Sequence, residues 1–161
     1  MKKIVSFLLT ITLVFCNGFT ILAEEIPTPP ADQISSNPYF AFVEKDFSQI
    51  FRDGENEIWI SFVRTSITYK GSSSIGIYIR TEANEECVSI EATVLVQRWH
   101  NNMWETYSTL GYYDYFVSEQ VVRDTLSVES GYYYRLSVLH FIMNWEMSDS
   151  ASSVTDGLFI V

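Results

Sequence analysis

The 161-residue sequence predicts an all-β protein, an antiparallel β-sandwich made after removal of an export leader. Three observations carry that prediction. From Glu57 onward apolar residues recur at every second position, the period that buries one face of a strand. The breaks between these runs hold Gly, Ser and Asn, the residues of tight turns. No helical run separates the later strands, so neighbours pair as antiparallel hairpins rather than through crossovers.

The leader comes first. Met1-Lys2-Lys3 is a short positive segment, Ile4 to Phe15 is an apolar run, and Asn17-Gly18 leads to Ile21-Leu22-Ala23 before Glu24-Glu25. Basic, apolar and small-residue zones in that order mark a secretory signal peptide over residues 1–23, with cleavage expected after Ala23. Ile21 is bulkier than the residue usual three positions before a cut. The alternatives are an uncleaved membrane anchor, against which Asn17-Gly18 and the acidic exit argue, and lipid attachment at Cys16, against which Phe15 argues. The expected location is extracellular, with loose cell-wall association open. Phe159-Ile160-Val161 is no sorting tail and argues against covalent wall anchoring.

Losing Lys2 and Lys3 leaves eight basic residues against 20 acidic ones, a net charge of −12 where the whole chain carries −10. Such a surface repels phosphate backbones and anionic membranes, so no nucleic-acid partner and no stable membrane insertion after cleavage are expected. The acids are scattered, as on a solvated surface. Cys87 is the one cysteine left, so the domain has no internal disulfide and must be held by packing. Cys87 reads as a small buried apolar residue.

Residues 24–37 hold Pro27, Pro29 and Pro30 and read as an extended, mobile linker before a single domain over 38–161. A helix is expected next: Asn37 as cap, Pro38 as first residue, Phe40, Val43, Phe47, Ile50 and Phe51 at three- and four-residue steps, and Gly54 as stop. The alternative is an irregular apolar segment packed on a sheet edge. Strands follow at Ile58-Ile60-Phe62, at Ile75-Ile77-Ile79 and at Val88-Ile90-Ala92-Val94-Val96. Turns are expected at Lys70 to Ser73, Asn84-Glu85-Glu86, His100-Asn101-Asn102 and Ser130-Gly131. Asn tolerates positive φ, so a hairpin at Asn101-Asn102 is expected. Leu126 and Val128 end another strand. Tyr132 to Ile142 is the longest, with Tyr132, Tyr134, Leu136, Val138, His140 and Ile142 on the core side. Ser148 to Asp156 reads as a polar loop and Leu158 to Val161 as a last short strand.

The segment Leu126 to Val138 resembles the end-of-sandwich signature of immunoglobulin-like and fibronectin type III domains, in which a tyrosine opening a late strand ties down the preceding corner. Tyr132 fits the fibronectin-like spacing, and the immunoglobulin cysteine pair is absent. Val94-Leu95-Val96-Gln97-Arg98, Asn102-Met103-Trp104-Glu105-Thr106 and Gly131-Tyr132-Tyr133-Tyr134-Arg135 together resemble a family of small secreted domains of unknown function from Gram-positive bacteria. The likeness covers roughly residues 58–145. It implies an immunoglobulin/fibronectin-III-like fold and export, structural roles for Tyr132 and Tyr134, and no activity.

Searching for chemistry returns little. His140 reads as a satisfied core histidine and His100 as a turn residue, and with Cys87 they have no zinc-ligand spacing. Gly71 to Gly76 lacks the Gly-x-Ser-x-Gly pattern of a nucleophile elbow and reads as a turn. Glu85-Glu86 and Asp53-Gly54-Glu55-Asn56-Glu57 read as solvated loops rather than glycosidase carboxylates or a calcium loop. No catalytic residue, metal or cofactor is expected.

What stands out is the aromatic content: four Trp, ten Tyr and 11 Phe. Tyr112-Tyr113-Asp114-Tyr115-Phe116 lacks clean alternation, so some rings must face solvent. Trp99 lies opposite the Val88–Val96 core face. Exposed rings stack on sugars or anchor protein interfaces. The candidate ligand-binding residues are therefore Trp99, Trp104, Tyr112, Tyr113 and Tyr115. The expected function is that of a non-catalytic protein-interaction or surface-associated module, with carbohydrate or cell-wall binding as the alternative. The expected partner is an extracellular protein or a glycan.

Overall fold

Period-two burial turns nearly all of the domain into strand. The computed structural model describes residues 26–47 and 58–161, so the leader over 1–23 and the segment Asp53 to Glu57 lie outside the described residues. The described residues form seven strands: β1 (Phe40–Asp46), β2 (Ile60–Gly71), β3 (Ser74–His100), β4 (Met103–Ser127), β5 (Tyr132–Met143), β6 (Ser148–Val154) and β7 (Leu158–Ile160). They make one antiparallel sheet in the order β1-β2-β3-β5-β6, with β4 on the other side of β3 and β7 beside β5. Among the described residues the remaining regular element is a 3-10 turn, Ala31–Gln33.

The long β3–β4 hairpin shapes the molecule. Between the pairs Glu82↔Glu119 and Cys87↔Val117, β3 has four residues where β4 has one. This bulge bends both strands and moves the buried positions of β3 from odd (Ile75, Ile77, Ile79, Thr81) to even (Ile90, Ala92, Val94, Val96). The first half of β3 pairs β2 and the second half pairs β5. The sheet therefore folds back on itself. A first half-sheet (β1, β2, the start of β3, the end of β4) covers a second one (the start of β4, the end of β3, β5, β6, β7), and β2 meets β5, β6 and β7 across the interior.

The interior is a continuous apolar cluster from both halves, including Ile67, Ile75, Ile77, Ile79, Val94, Val96, Tyr134, Leu136 and Val138. Ile58, Ile60, Val63, Cys87, Ile90 and Ile142 form a second cluster beneath the bend. Polar seams tie the halves. His140 of β5 is fully buried. Its Nδ1 lies 2.7 Å from Thr81 Oγ1, and its Nε2 lies 2.8 Å from Ser153 Oγ and 3.4 Å from Thr65 Oγ1. Burial, reinforced by Lys45, pushes its pKa down to about 4, so the neutral ring is the folded form. Gln120 donates to the Ile90 carbonyl at 3.1 Å, and the Tyr69 hydroxyl donates to the Val161 carbonyl at 3.1 Å.

The turns at Gly71–Ser73, Asn101–Asn102 and Gly131 adopt positive φ, which Gly and Asn favour and which Ser72 and Ser73 take against their type. The even positions of β5 from Tyr134 to Ile142 face the core. Several expectations need correction. Phe40 to Asp46 is not helical: it is an edge strand paired with β2 from Phe40↔Thr68 to Asp46↔Phe62. The Asn37 side chain accepts from the Tyr39 N–H at 2.9 Å, so it closes a turn instead of capping a helix. A ladder partner overrode a short helical pattern; residues 48–54 of that expected helix lie outside the described residues.

Asn84-Glu85-Glu86 is not a hairpin turn but the bulge at the bend of β3. Ser148 to Val154 is strand β6, not loop, because backbone pairing to β5 from Met143↔Ser148 to Ser137↔Val154 needs no large side chains. Phe62 leaves the Ile58-Ile60 face at a register shift, and Val63, Thr65 and Ile67 point inward in its place.

Part of the expected linker is pinned. Ser35 N–H donates to the Gly157 carbonyl, Gly157 N–H donates to the Gln33 carbonyl, and Ile34 bridges Gly157.

Candidate functional site

Strand register places the side chains of the second half-sheet's outer face in four rows, each running from β4 through β3 and β5 to β6. They are Tyr115–Ser89–Met143–Ser148, Tyr113–Glu91–Phe141–Ser150, Gly111–Thr93–Leu139–Ser152 and Thr109–Leu95–Ser137–Val154. Tyr113 is 58% exposed, Tyr115 63% and Leu139 50%, and Met143 and Val154 are also exposed. The Tyr113 ring leans over Gly111, where an added Cβ would meet it at 3.2 Å. Next to Tyr115, Phe116 is exposed with φ of 56°, a strained conformation for a residue with a Cβ. The result is an exposed patch with aromatic rings on β4, Leu139 and Met143 on β5 and Glu91 as the one charged side chain in the four rows.

The five candidate residues do not form one platform. Trp99 is 8% exposed, because it packs edge-to-face on Trp104 with ring centroids 5.3 Å apart. Its Nε1 has no hydrogen-bond partner among the described residues. Trp104 is committed to structure: Nε1 donates to Gln33 Oε1 at 2.7 Å, the Arg135 guanidinium sits 4.4 Å from its ring, and Gly157 lies against its benzo edge. It holds the N-terminal segment down. Tyr112 turns toward the interior, and its hydroxyl donates to Asp124 Oδ2 at 2.7 Å. Tyr112 and Asp124 belong to opposite half-sheets, so this bond clasps the open side of the fold. Burial and then Asp124 raise the Tyr112 pKa, keeping the donor protonated. Tyr113 and Tyr115 alone of the five point outward.

The structural residues fall differently. The hydroxyl that ties the corner is that of Tyr134, not Tyr132: it donates to the Glu129 carbonyl at 3.0 Å. Burial lifts its pKa to about 12. Tyr132 is half-buried, with Arg98 4.6 Å from its ring centroid and His100 edge-on. Cys87 is buried, its Sγ donates to the Val117 carbonyl at 3.2 Å, and burial followed by Glu85 and Glu86 raises its pKa to about 11. A thiol held that far up stays protonated near neutral pH.

Sequence reasoning missed Tyr39, Phe40 and Phe42, all exposed along β1, with the Phe rings 6.1 Å apart and 25° from parallel. The alternation Phe40-Ala41-Phe42-Val43 was the available signal. A helical spacing through Val43 and Phe47 masked it. No family model matches the chain, and no curated protein matches it.

Proposed function

We propose that this protein is a secreted, non-catalytic interaction module of immunoglobulin/fibronectin-III-like β-sandwich type that docks an extracellular protein on its second half-sheet. One observation carries the reading: Tyr113, Tyr115, Leu139 and Met143 lie exposed on one four-stranded face. Exposed apolar surface with aromatic anchors suits a protein interface, where Trp, Tyr and Arg side chains carry much of the binding energy. The order of basic, apolar and small residues over 1–23 supports export. The test presents the purified protein to the extracellular proteins of its own cells. A protein retained by the wild type and released by Tyr113→Glu or Leu139→Glu, both still folded, is the expected result. Retention that survives both changes would exclude this face.

Glycan binding is a second reading, supported at a different place. The near-parallel Phe40 and Phe42 rings border a 280 Å3 groove with Ser36, Asn37 and Asp156. Rings of that kind stack on a pyranose while hydroxyl, amide and carboxylate groups take its hydroxyls. Retention on insoluble polysaccharide, lost in Phe40→Ala/Phe42→Ala, would favour it.

A further inference from the structure

The outer face of the first half-sheet follows a different pattern. Its rows run β1–β2–β3–β4: Phe40–Thr68–Gly76–Thr125, Phe42–Ser66–Tyr78–Arg123 and Glu44–Arg64–Arg80–Val121. In a chain of net charge −10, four cations gather here: Arg64, Lys70, Arg80 and Arg123. Two of them are neutralised. Arg64 lies 3.6 Å from Glu44, and Arg80 is bonded to Glu82 and, at 2.6 Å, to Glu119. Lys70 and Arg123 make no ion pair among the described residues. Both line one 320 Å3 trough whose other walls are Thr68, Gly76, Ile77, Tyr78, Asp124 and Thr125.

Gly76, with no side chain, leaves room for the Lys70 stem. An added Cβ would stand 2.5 Å from Lys70 Cε, so the Lys70 stem lies across the glycine, in the wall of the trough. Arg123 is held by stacking 5.2 Å from the centroid of the Tyr78 ring, which orders the guanidinium without neutralising it. Asp124 also borders the trough, but its carboxylate is engaged: Oδ2 accepts from Tyr112 and Oδ1 from the Thr125 N–H.

We propose that this trough binds an oxyanion, the carboxylate or phosphate of a small hydroxylated ligand. Lys70 supplies a point charge, Arg123 a planar fork of donors, Thr68 and Thr125 supply hydroxyls, and Gly76 supplies the room for the Lys70 stem. The site lies on the face opposite the proposed protein-docking patch and does not depend on it.

The test is an amide-resolved NMR titration of the purified protein with inorganic phosphate, with glucuronate, and with glucose as the neutral control. Saturable shifts at Gly76, Tyr78 and Thr125 with an anion, absent with glucose and weakened by salt, are expected. Lys70→Gln and Arg123→Gln should each weaken binding about tenfold while leaving the spectrum otherwise folded. A response to phosphate alone assigns a phosphate ligand, and a response to glucuronate alone assigns a carboxylate. No saturable shift with either anion, or shifts unchanged in the Lys70→Gln/Arg123→Gln double variant, would overturn the proposal.

Discussion

The two outer faces of the bent sheet share one backbone logic and differ in what caps their rings. On the first half-sheet Arg64, Arg80 and Arg123 sit over Phe42, Phe62 and Tyr78. On the second, Tyr113 and Tyr115 stand exposed, and the guanidiniums cover other rings, Arg98 over Tyr107 and Tyr132 and Arg135 over Trp104. A ring under a guanidinium positions charge, whereas a bare ring offers apolar area to a partner. Alternation dictates which residues face out, and the neighbour one strand away dictates whether an outward ring is a support or a contact.

Because both faces ride on one interior, the largest effect comes from breaking it. Leu136→Ala removes a fully buried side chain and should cost about 3 kcal/mol of unfolding free energy. Urea denaturation would measure it, and both faces should weaken together.

Next comes the seam at His140. An unfolded imidazole titrates near 6.5, while the folded one titrates at about 4. Between those values the unfolded state binds a proton that the folded state refuses. Stability is therefore full above pH 6.5 and falls as pH drops toward 4, by about 3 kcal/mol from this group. The pH slope of urea midpoints should flatten in His140→Gln.

Gly157→Ala should cost about 2 kcal/mol, since its Cβ would stand 2.7 Å from Trp104 Cη2 and 3.1 Å from the Gln33 carbonyl oxygen. Proteolysis near residues 26–36 would report the freed segment. The smallest effect sharpens the contrast most. Tyr112→Phe should cost about 1 kcal/mol by losing its bond to Asp124. Tyr113→Ala, next to it in sequence, should change stability by less than about 0.5 kcal/mol. In partner retention the order should reverse.

Particular residues mark how far reading the sequence reached. The alternation of Ile75 to Ile79, Ile90 to Val96 and Tyr134 to Ile142 was legible because each run has many apolar positions of one parity. The Asn101-Asn102 and Gly131 turns were legible because positive φ demands those residue types. Strand β6 was not, because Ser148 to Val154 joins the sheet by backbone bonds that any residue can make. Nor were the roles of Trp99 and Trp104. A tryptophan outside the core pattern reads the same whether it meets solvent or, as here, Gly157, Gln33 and Arg135 from distant parts of the chain.

By itself, then, the sequence determined the all-β class, most inward-facing positions and the burial of His140, since period-two hydrophobicity is a local property enforced by water. The tertiary structure alone decided the bend of β3, the turning inward of Tyr112, the pinning of Trp104 and the gathering of Lys70 and Arg123 at Gly76. Those depend on register between strands far apart in the chain, and a shift of one residue in register exchanges inside for outside.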